Sequence, residues 1–386
     1  MKFELSSTYN RVKASYGKVA KSLHPQLTLP PLRITFEVTY RCNLSCPFCF
    51  QEVARLQSPE FKKNYELSAE EILDVVDTLP RQTLITFNGG EVFVRKDFPA
   101  LLRAVTARGR RFNIVTNGTM LNDARNELLV DETQALSIGV SIDGIGATHD
   151  HIRQRKGAFD ITVGGLRALA EYRNQRGRRL PVIDLKTVIT NDNMEQLVDI
   201  YQLARDIGTD YVTYSCLRNS ELLFALPCHH SMDDQVYEQY PPPFAEPFDL
   251  DLLEAQLTEV FRLAEEGGPA LRFYPDYEEI GGILRYYANQ GELEDYEDCR
   301  APWTNIRVAP NGDIYPCLAY KMGNIRDGSL RSVWRGENMN RFRSELQGKL
   351  MPACLGCCFL KAKPGLECDR EAAAAVQAGE LLSVEP

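Results

Sequence analysis

The chain has 386 residues, of which 44% are hydrophobic and 25% are charged, and its formal net charge is -9. This composition is ordinary for a globular protein, and the acidic balance excludes the basic surface that nucleic-acid binding requires. No apolar run is long enough for a membrane helix, and the first residues lack the apolar region of a signal peptide. We therefore expect a cytoplasmic protein with neither a nucleic-acid nor a membrane partner.

A repeated βα pattern organises the first half of the chain. Short β-branched runs alternate with amphipathic stretches of helical length, which predicts right-handed βα units around a parallel sheet. The predicted strands are 34–39, 83–88, 112–116, 136–142, 182–189 and 211–216. The predicted helices are 68–79, which Ser68 and Glu71 open as a capping box, 98–108, 160–176, 193–207 and 249–266. The fold class is thus α/β, with a partial, six-stranded (β/α) barrel.

The pattern ends after residue 217, where prolines and acidic tracts interrupt it. Later in the chain, a short hairpin is predicted to turn at Asn311-Gly312. The sequence thus divides into an N-terminal extension, the barrel, a helical linking region, a small cysteine-rich domain and a tail, at 1–29, 30–217, 218–298, 299–370 and 371–386.

Eleven cysteines in a chain with no export signal are expected to be reduced thiols rather than disulfides. Cys42, Cys46 and Cys49 form a CxxxCxxC motif directly after the first strand. Three soft thiolates directed at one point suit an iron–sulfur cluster that leaves one iron open. A structural zinc site is the alternative, although no fourth His or Cys lies close by in the sequence.

The cysteine motif resembles that of the radical S-adenosylmethionine (SAM) superfamily, and further motifs follow in the family's order. The resemblance implies that Phe48 packs near the adenine and that the backbone of Gly89-Gly90-Glu91 contacts the SAM amino group. A glycine pair at a strand end also leaves room for a ligand to approach. The other residues matched to the family's strand-end signatures are Asn117, Ser141, Asp143 and Arg153.

By the same resemblance, Ser141 and Asp143 are candidates for contacting the ribose or the carboxylate of SAM. Arg153 is a candidate for contacting the carboxylate. A surface salt bridge is the alternative for Arg153. Lys186 on the fifth predicted strand and Asn191 after it could also reach the site, with solvent exposure as the alternative.

A second group of cysteines lies in the motifs CRAPW, which begins at Cys299, GDIYPC, which ends at Cys317, and CLGCC, which begins at Cys354. This arrangement resembles the auxiliary-cluster domains called SPASM and Twitch. Lys363 stands where a full SPASM domain has a further cysteine, which favours the Twitch-like version. The resemblance then implies one auxiliary 4Fe-4S cluster, with Cys358 and Cys368 left over for a minority interpretation with two. Zinc is again the alternative. The ligands implied for the single auxiliary cluster are Cys299, Cys317, Cys354 and Cys357.

The resemblance implies that a flavodoxin- or ferredoxin-type donor reduces the first cluster. SAM then yields a 5′-deoxyadenosyl radical that abstracts hydrogen from a substrate C–H bond. Cys216, at the end of the sixth strand, is a candidate hydrogen donor, and Asp313 a candidate base; a buried packing cysteine and a turn aspartate are the plainer alternatives.

The substrate class is less defined. Because only about 30 residues precede the first strand, too few for a fused peptide-recognition domain, we expect a small metabolite of the sugar, aminocyclitol or nucleotide type. The alternatives are maturation of a ribosomally made peptide and a non-catalytic iron–sulfur or zinc scaffold.

Overall fold

The structure is a computed structural model of the chain. It describes residues 15–23, 28–52, 66–218, 244, 246–317 and 320–377. Parts of the predicted N-terminal extension, linking region and tail, including Cys228, lie outside these residues.

Ten strands form one sheet in the order β10-β9-β8-β1-β2-β3-β4-β5-β6-β7. The strands β1 to β7 run parallel, as the βα pattern predicts. In chain order, β1 to β10 are Arg33–Glu37, Leu84–Asn88, Phe112–Thr116, Ala135–Ser141, Val182–Ile189, Tyr211–Cys216, Ala270–Tyr274, Asn305–Val308, Asp313–Tyr315 and Gly323–Asn324.

Helices follow most strands, and the first shows the predicted capping box: Ser68 Oγ accepts from the Glu71 N–H, and the Glu71 carboxylate accepts from the Ser68 N–H. In the described part of the chain, no helix combines the length and apolar character of a bilayer span. In chain order, α1 to α12 are Ala69–Thr78, Phe98–Ala107, Asp123–Glu127, Ala147–Arg153, Ala158–Gln175, Leu197–Ile207, Leu250–Glu265, Ile280–Tyr287, Ala301–Thr304, Leu330–Trp334, Glu337–Glu345 and Arg370–Gln377.

The barrel sheet continues beyond the six predicted strands. Helix α7 lies in the predicted linking region, and the strand after it, β7, pairs in parallel with β6. The segment 250–274 is therefore a seventh helix–strand unit rather than a purely helical connection. The sequence signal was weak because β7 reads ALRFY, only five residues with a central arginine.

The cysteine-rich segment contacts both edges of the barrel sheet. Its strand β8 pairs in parallel with β1, and β8, β9 and β10 extend the sheet on that side. On the other side, beyond β7, Asp276 pairs with the 360–362 stretch through two backbone hydrogen bonds of 2.9 and 3.0 Å. The cysteine-rich segment thus spans the open side of the partial barrel.

The two faces of the sheet differ in polarity. Residues that face the helices are apolar and buried, as Ile34 and Phe36 of β1 show. In-register neighbours on the other face, here called the inner face, are mostly polar. They include Thr35, Glu37, Thr86, Asn88, Asn113, Ser137, Ser141, Asp184, Lys186, Thr213, Ser215, Arg272 and Arg307. A polar inner face is suited to bind a ligand rather than to pack as a core.

Candidate active site

The first three cysteines lie in the loop that follows β1. Cys42 is exposed, Cys46 is buried and Cys49 is partly buried, and the Cys49 N–H donates to the Cys46 carbonyl at 3.1 Å. Phe48 is also partly buried in this loop. Burial raises the pKa of Cys46 despite the nearby Arg153, and Cys49 raises it further. The thiols therefore lie close enough to interact electrostatically, as one shared site requires.

The Gly89-Gly90-Glu91 segment packs directly on the cysteine loop. The Gly90 and Glu91 N–H groups donate to the carbonyls of Thr39 and Arg41, each at 2.8 Å. A Cβ on Gly89 would lie 2.7 Å from the Thr39 oxygen, and a Cβ on Gly90 would overlap the Arg41 carbonyl. Glycine is therefore required here because the cysteine loop packs directly against the backbone of this segment. The sequence did not reveal this reason for the glycine pair.

The Glu91 side chain holds the next strand end in place. Its fully buried carboxylate accepts from the Phe93 N–H at 3.1 Å, the Thr116 hydroxyl at 2.8 Å and the Asn117 N–H at 2.7 Å. Burial raises the pKa of Glu91, while these hydrogen bonds oppose that rise. The sequence pointed only to the backbone of this motif, so the positioning role of the carboxylate is a new observation.

Asn117, which follows β3, lies beside the first cysteine. Its Nδ2 donates to Asn43 Oδ1 at 2.9 Å and lies 3.7 Å from Cys42 Sγ. Its Oδ1 accepts from the Thr119 N–H and hydroxyl. The third strand end and the cysteine loop are thus joined by side-chain amides.

Arg153 and Asp143 form a buried ion pair beside Cys46. Arg153 Nη2 contacts Asp143 Oδ2, and Arg153 Nη1 lies 3.5 Å from Cys46 Sγ. Asp143 Oδ1 also accepts from the Val188 N–H at 2.7 Å. Burial raises the pKa of Asp143, although the Arg153 charge opposes that rise. The surface salt bridge considered for Arg153 is wrong, because both side chains are buried at the cysteine site.

His149 completes this group. Its Nδ1 accepts from the Asp143 N–H at 3.1 Å, which requires a neutral imidazole. Burial and the Arg153 charge lower the pKa of His149 to about 3. No sequence motif singled this histidine out, because its role depends on the turn that follows β4.

Ser141 begins a row of polar side chains across the inner face. It is in register with Lys186, which is followed by Thr213 and Arg272 on the next two strands. Lys186 Nζ lies 2.8 Å from Asp184 Oδ2. Asn191 instead reaches the Glu246 carbonyl at 3.5 Å, beyond the strand ends. Lys186, but not Asn191, thus lies on the inner face.

The later cysteines converge on a second site. One small cavity is lined by Cys299, Cys317, Cys354 and Cys357, and otherwise by apolar residues such as Ala301, Phe342 and Leu360. Cys358 and Cys368 do not line it. Burial raises the pKa of Cys354 to about 12, and neighbouring thiols contribute to that rise. The four cysteines that were grouped from the sequence are therefore the four that meet.

The spacing of these thiols bears on the zinc alternative. Tetrahedral zinc with bonds of about 2.3 Å holds its sulfur atoms about 4 Å apart. In the ranges that the structure describes, no three His, Cys, Asp or Glu side chains are grouped tightly enough for one metal ion. Four cysteines that line one cavity match the ligand number of a 4Fe-4S cluster and of a structural zinc site alike.

Two candidate catalytic residues are not supported by their placement. The Asp313 carboxylate accepts from Asn311 and Asn324, each at 2.8 Å, and pairs with Lys321 at 2.7 Å, so it serves the hairpin turn. Cys216 is in register with Ile189 on the helix-covered face, where its buried thiol contacts Tyr287. Neither side chain is free to act at the inner face.

Arg218 is a residue that the sequence did not single out. It follows β6 and donates to the Ala353 carbonyl at 2.6 Å, next to Cys354. Its charge opposes the raised pKa of both Cys354 and Cys357. The end of the sixth strand is thus joined to the auxiliary cavity.

Comparison with known proteins agrees with this geometry. A model of the radical SAM superfamily matches residues 36–204, and a model of the SPASM iron–sulfur cluster-binding domain matches residues 299–358. The AdoMet-dependent heme synthase of Oleidesulfovibrio alaskensis is 32% identical over 333 residues, covering 82% of this chain and 78% of that protein. The chain belongs to the radical SAM superfamily. Its SPASM model match confirms the expected auxiliary-cluster domain.

Other radical SAM proteins are similar over most of the chain. The PqqA peptide cyclase of Xanthomonas campestris pv. campestris is 26% identical over 363 residues, covering 85% of this chain and 79% of that protein. The crystal structure of Streptococcus suis SuiB bound to its precursor peptide SuiA has a TM-score of 0.61 at 16% identity, covering 94% of this chain and 79% of that one. This structural similarity confirms the barrel fold.

Membership of the radical SAM superfamily, together with the SPASM domain, also defines the cofactors. A radical SAM enzyme uses SAM with a 4Fe-4S cluster, and a SPASM domain holds auxiliary iron–sulfur. The residues found here fit both groups, because one loop presents three thiols and one apolar cavity collects four. The protein is therefore an enzyme, and the scaffold alternative is set aside.

Proposed function

We propose that this enzyme modifies a ribosomally made peptide through hydrogen abstraction from a C–H bond. The observation that carries this proposal is the similarity, over most of both chains, to a PqqA peptide cyclase. The pairing of β8 with β1 joins the two cysteine-bearing segments in one sheet. The comparisons favour this alternative over the small metabolite expected from the sequence.

Cys42, Cys46 and Cys49 would hold the SAM-binding cluster, which supplies the electron that splits the SAM sulfonium. Arg153 places a buried positive charge beside Cys46, and Asp143 fixes its direction. The Arg153 Nη1 group lies beside Cys46 and would donate to a carboxylate close to the cluster, which supports the assignment of Arg153 to the SAM carboxylate.

The remaining cofactor residues surround the same loop. Gly89 and Gly90 bring their backbone against it, and Glu91 acts by orienting Asn117 rather than by ligand contact. Ser141 is assigned to SAM by its place at the end of β4. Phe48, between two of the cysteines, is placed to cover the adenine.

Cys299, Cys317, Cys354 and Cys357 would hold one auxiliary cluster, which can accept an electron from a substrate radical. Their common apolar cavity supports this set, and Cys358 and Cys368 remain outside it. A flavodoxin- or ferredoxin-type donor would deliver electrons to the first cluster. A reducing compartment such as the cytoplasm would keep all these thiols available.

The test begins with anaerobic reconstitution, iron counting and an assay for 5′-deoxyadenosine with dithionite. We expect about eight irons per chain and SAM cleavage. Short peptides encoded beside the gene are then incubated with the enzyme, and a mass change of the peptide is measured by mass spectrometry. The control replaces Cys42, Cys46 and Cys49 by Ala, which should leave only the auxiliary iron. Cleavage of SAM with every such peptide unchanged would contradict the peptide assignment.

A second candidate is a porphyrin-type substrate. The observation that favours it is the 32% identity to an AdoMet-dependent heme synthase over most of both chains. Incubation with iron-coproporphyrin III, followed by absorbance and chromatography of the products, separates the two candidates.

A further inference from the structure

Two cations share one carboxylate on the inner face. Asp184 Oδ2 lies 2.8 Å from Lys186 Nζ and 3.8 Å from Arg272 Nη1, while Asp184 Oδ1 accepts from the Thr213 hydroxyl at 2.7 Å. Two positive charges and one negative charge leave the group with a net positive charge. Here the "inner cation pair" denotes Lys186 and Arg272.

Both cations are held in place by neighbouring rings. The Arg272 guanidinium carbon lies 3.4 Å from the Tyr211 ring centroid, and Lys186 Nζ lies 5.4 Å from that of Tyr274. A Cβ on Gly139 would lie 2.5 Å from Lys186 Cε, so glycine makes room for the lysine stem. The inner cation pair is therefore preorganised before any ligand arrives.

The pair is also accessible and charged. The side chains of Lys186 and Arg272 are 25% and 32% exposed to solvent, whereas that of Asp184 is 7% exposed. Burial alone would lower the pKa of Lys186, but Asp184 and Tyr274 hold it above its ordinary value. The positive groups thus face the open inner surface while their shared counter-ion lies behind them.

Arg307, another cation of the inner face, differs in this respect. Its Nη1 pairs with Glu37 Oε1 at 2.8 Å, and both side chains are largely buried. One carboxylate matches one guanidinium there. The Arg307–Glu37 pair therefore adds no excess positive charge, in contrast to the inner cation pair.

The inner cation pair lies beside the cofactor residues. Lys186 is in register with Ser141, and Arg272 is two strands further along the same row. Adjacent strands are about 4.8 Å apart, so the row extends about 10 Å from Lys186 to Arg272. A ligand bound there would lie across the inner face next to the cofactor.

We infer that Lys186 and Arg272 anchor a carboxylate of the substrate. Arginine and lysine are the side chains that bind carboxylates through charge-assisted hydrogen bonds, and both are preorganised here. The word substrate rests on the proposed function, and the inference adds that the substrate carries an acidic group.

The test measures binding of glutarate, a simple dicarboxylate, to the reconstituted full-length protein by saturation-transfer NMR. We expect K186Q/R272Q to bind glutarate about tenfold more weakly, since both charged donors are lost. The charge-retaining variant K186R should stay within about threefold of the unchanged protein, whereas Arg272 stacks on Tyr211 and has no conservative replacement. A matched control, R262Q/K361Q, removes two charges from exposed ion pairs and should bind as the unchanged protein does.

Equal glutarate binding by K186Q/R272Q and the unchanged protein would overturn the inference. The single variants K186Q and R272Q are measured as well, so a misfolded double variant does not remove the test. The carboxylate bound at this site belongs either to the substrate or to SAM, and the equilibrium binding of SAM distinguishes the two. If SAM displaces glutarate and the variants lose SAM affinity by the same factor, the site holds the cofactor carboxylate, and the assignment to substrate is overturned. Absence of SAM cleavage would contradict the proposed function alone and leave the glutarate result intact.

Discussion

At the scale of single residues, the ion pair between Asp143 and Arg153 controls the electrostatics around Cys46. Both side chains are buried, so neither charge is solvated by water. Removing one partner of such a pair leaves an uncompensated buried charge, whereas removing both does not.

We therefore expect Arg153→Gln to lower the free energy of unfolding by about 3 kcal/mol. The double variant Arg153→Gln/Asp143→Asn should recover part of that loss, because the asparagine oxygen can still accept from the Val188 N–H. Anaerobic thermal unfolding of the unchanged protein and both variants measures the effect. A double variant less stable than Arg153→Gln would show that the charge is not the cause.

His149 makes stability depend on pH. Its pKa is about 3 in the folded protein, against an ordinary value of 6.5. Between these values the unfolded chain binds a proton that the folded protein does not, so stability decreases as pH falls from 6.5 towards 3. The slope from this group is about 1.4 kcal/mol per pH unit.

The variant His149→Asn keeps an acceptor for the Asp143 N–H but does not titrate. Its melting temperature should therefore fall less between pH 7 and pH 5 than that of the unchanged protein. Differential scanning fluorimetry under anaerobic conditions gives the comparison. An identical fall in both proteins would assign the pH dependence to other groups.

At the scale of elements, the end of β2 is built to meet the cysteine loop. Gly90 is so close to Arg41 that even a methyl group would displace the loop. We expect Gly90→Ala to lower the iron content from about eight to about four per chain, since the first cluster loses its aligned thiols. Gly164→Ala on α5 is the matched control, because a Cβ there meets nothing within 4 Å. The iron content per chain is measured after reconstitution. About eight irons in Gly90→Ala would contradict the packing argument.

Several elements could be predicted from the sequence because their signals are local. The strands β3, β5 and β6 match their predicted ranges, and the capping box opens α1 as expected. The face of Cys216 was also readable, since alternation in YVTYSC groups it with Val212 and Tyr214. The hypothesis that Cys216 donates hydrogen rested only on its position at the end of the sixth strand, and this alternation argues against it.

At the scale of the whole molecule, the auxiliary domain is part of the barrel rather than an appendage. Strand β8 pairs with β1, and the segment after the CxxC motif pairs beyond β7. Loss of the auxiliary cluster should therefore weaken the whole sheet as well as its own cavity.

We expect Cys299→Ala to retain about four irons per chain and to melt at a lower temperature than the unchanged protein. Cys358→Ala is the matched control: this cysteine adjoins Cys357 but lies outside the cavity, so the iron content should stay at about eight. Iron analysis and thermal unfolding test both variants. Loss of four irons in Cys358→Ala would show that the ligand set is different.

The sequence by itself determined the chemistry of the protein, because cysteine spacing and strand-end motifs are short-range patterns. It determined the βα order for the same reason. Only the tertiary structure decided which distant groups meet: that Arg153 is buried against Cys46, and that Lys186 and Arg272 share Asp184. These contacts depend on strand register and long-range packing, which no local pattern specifies.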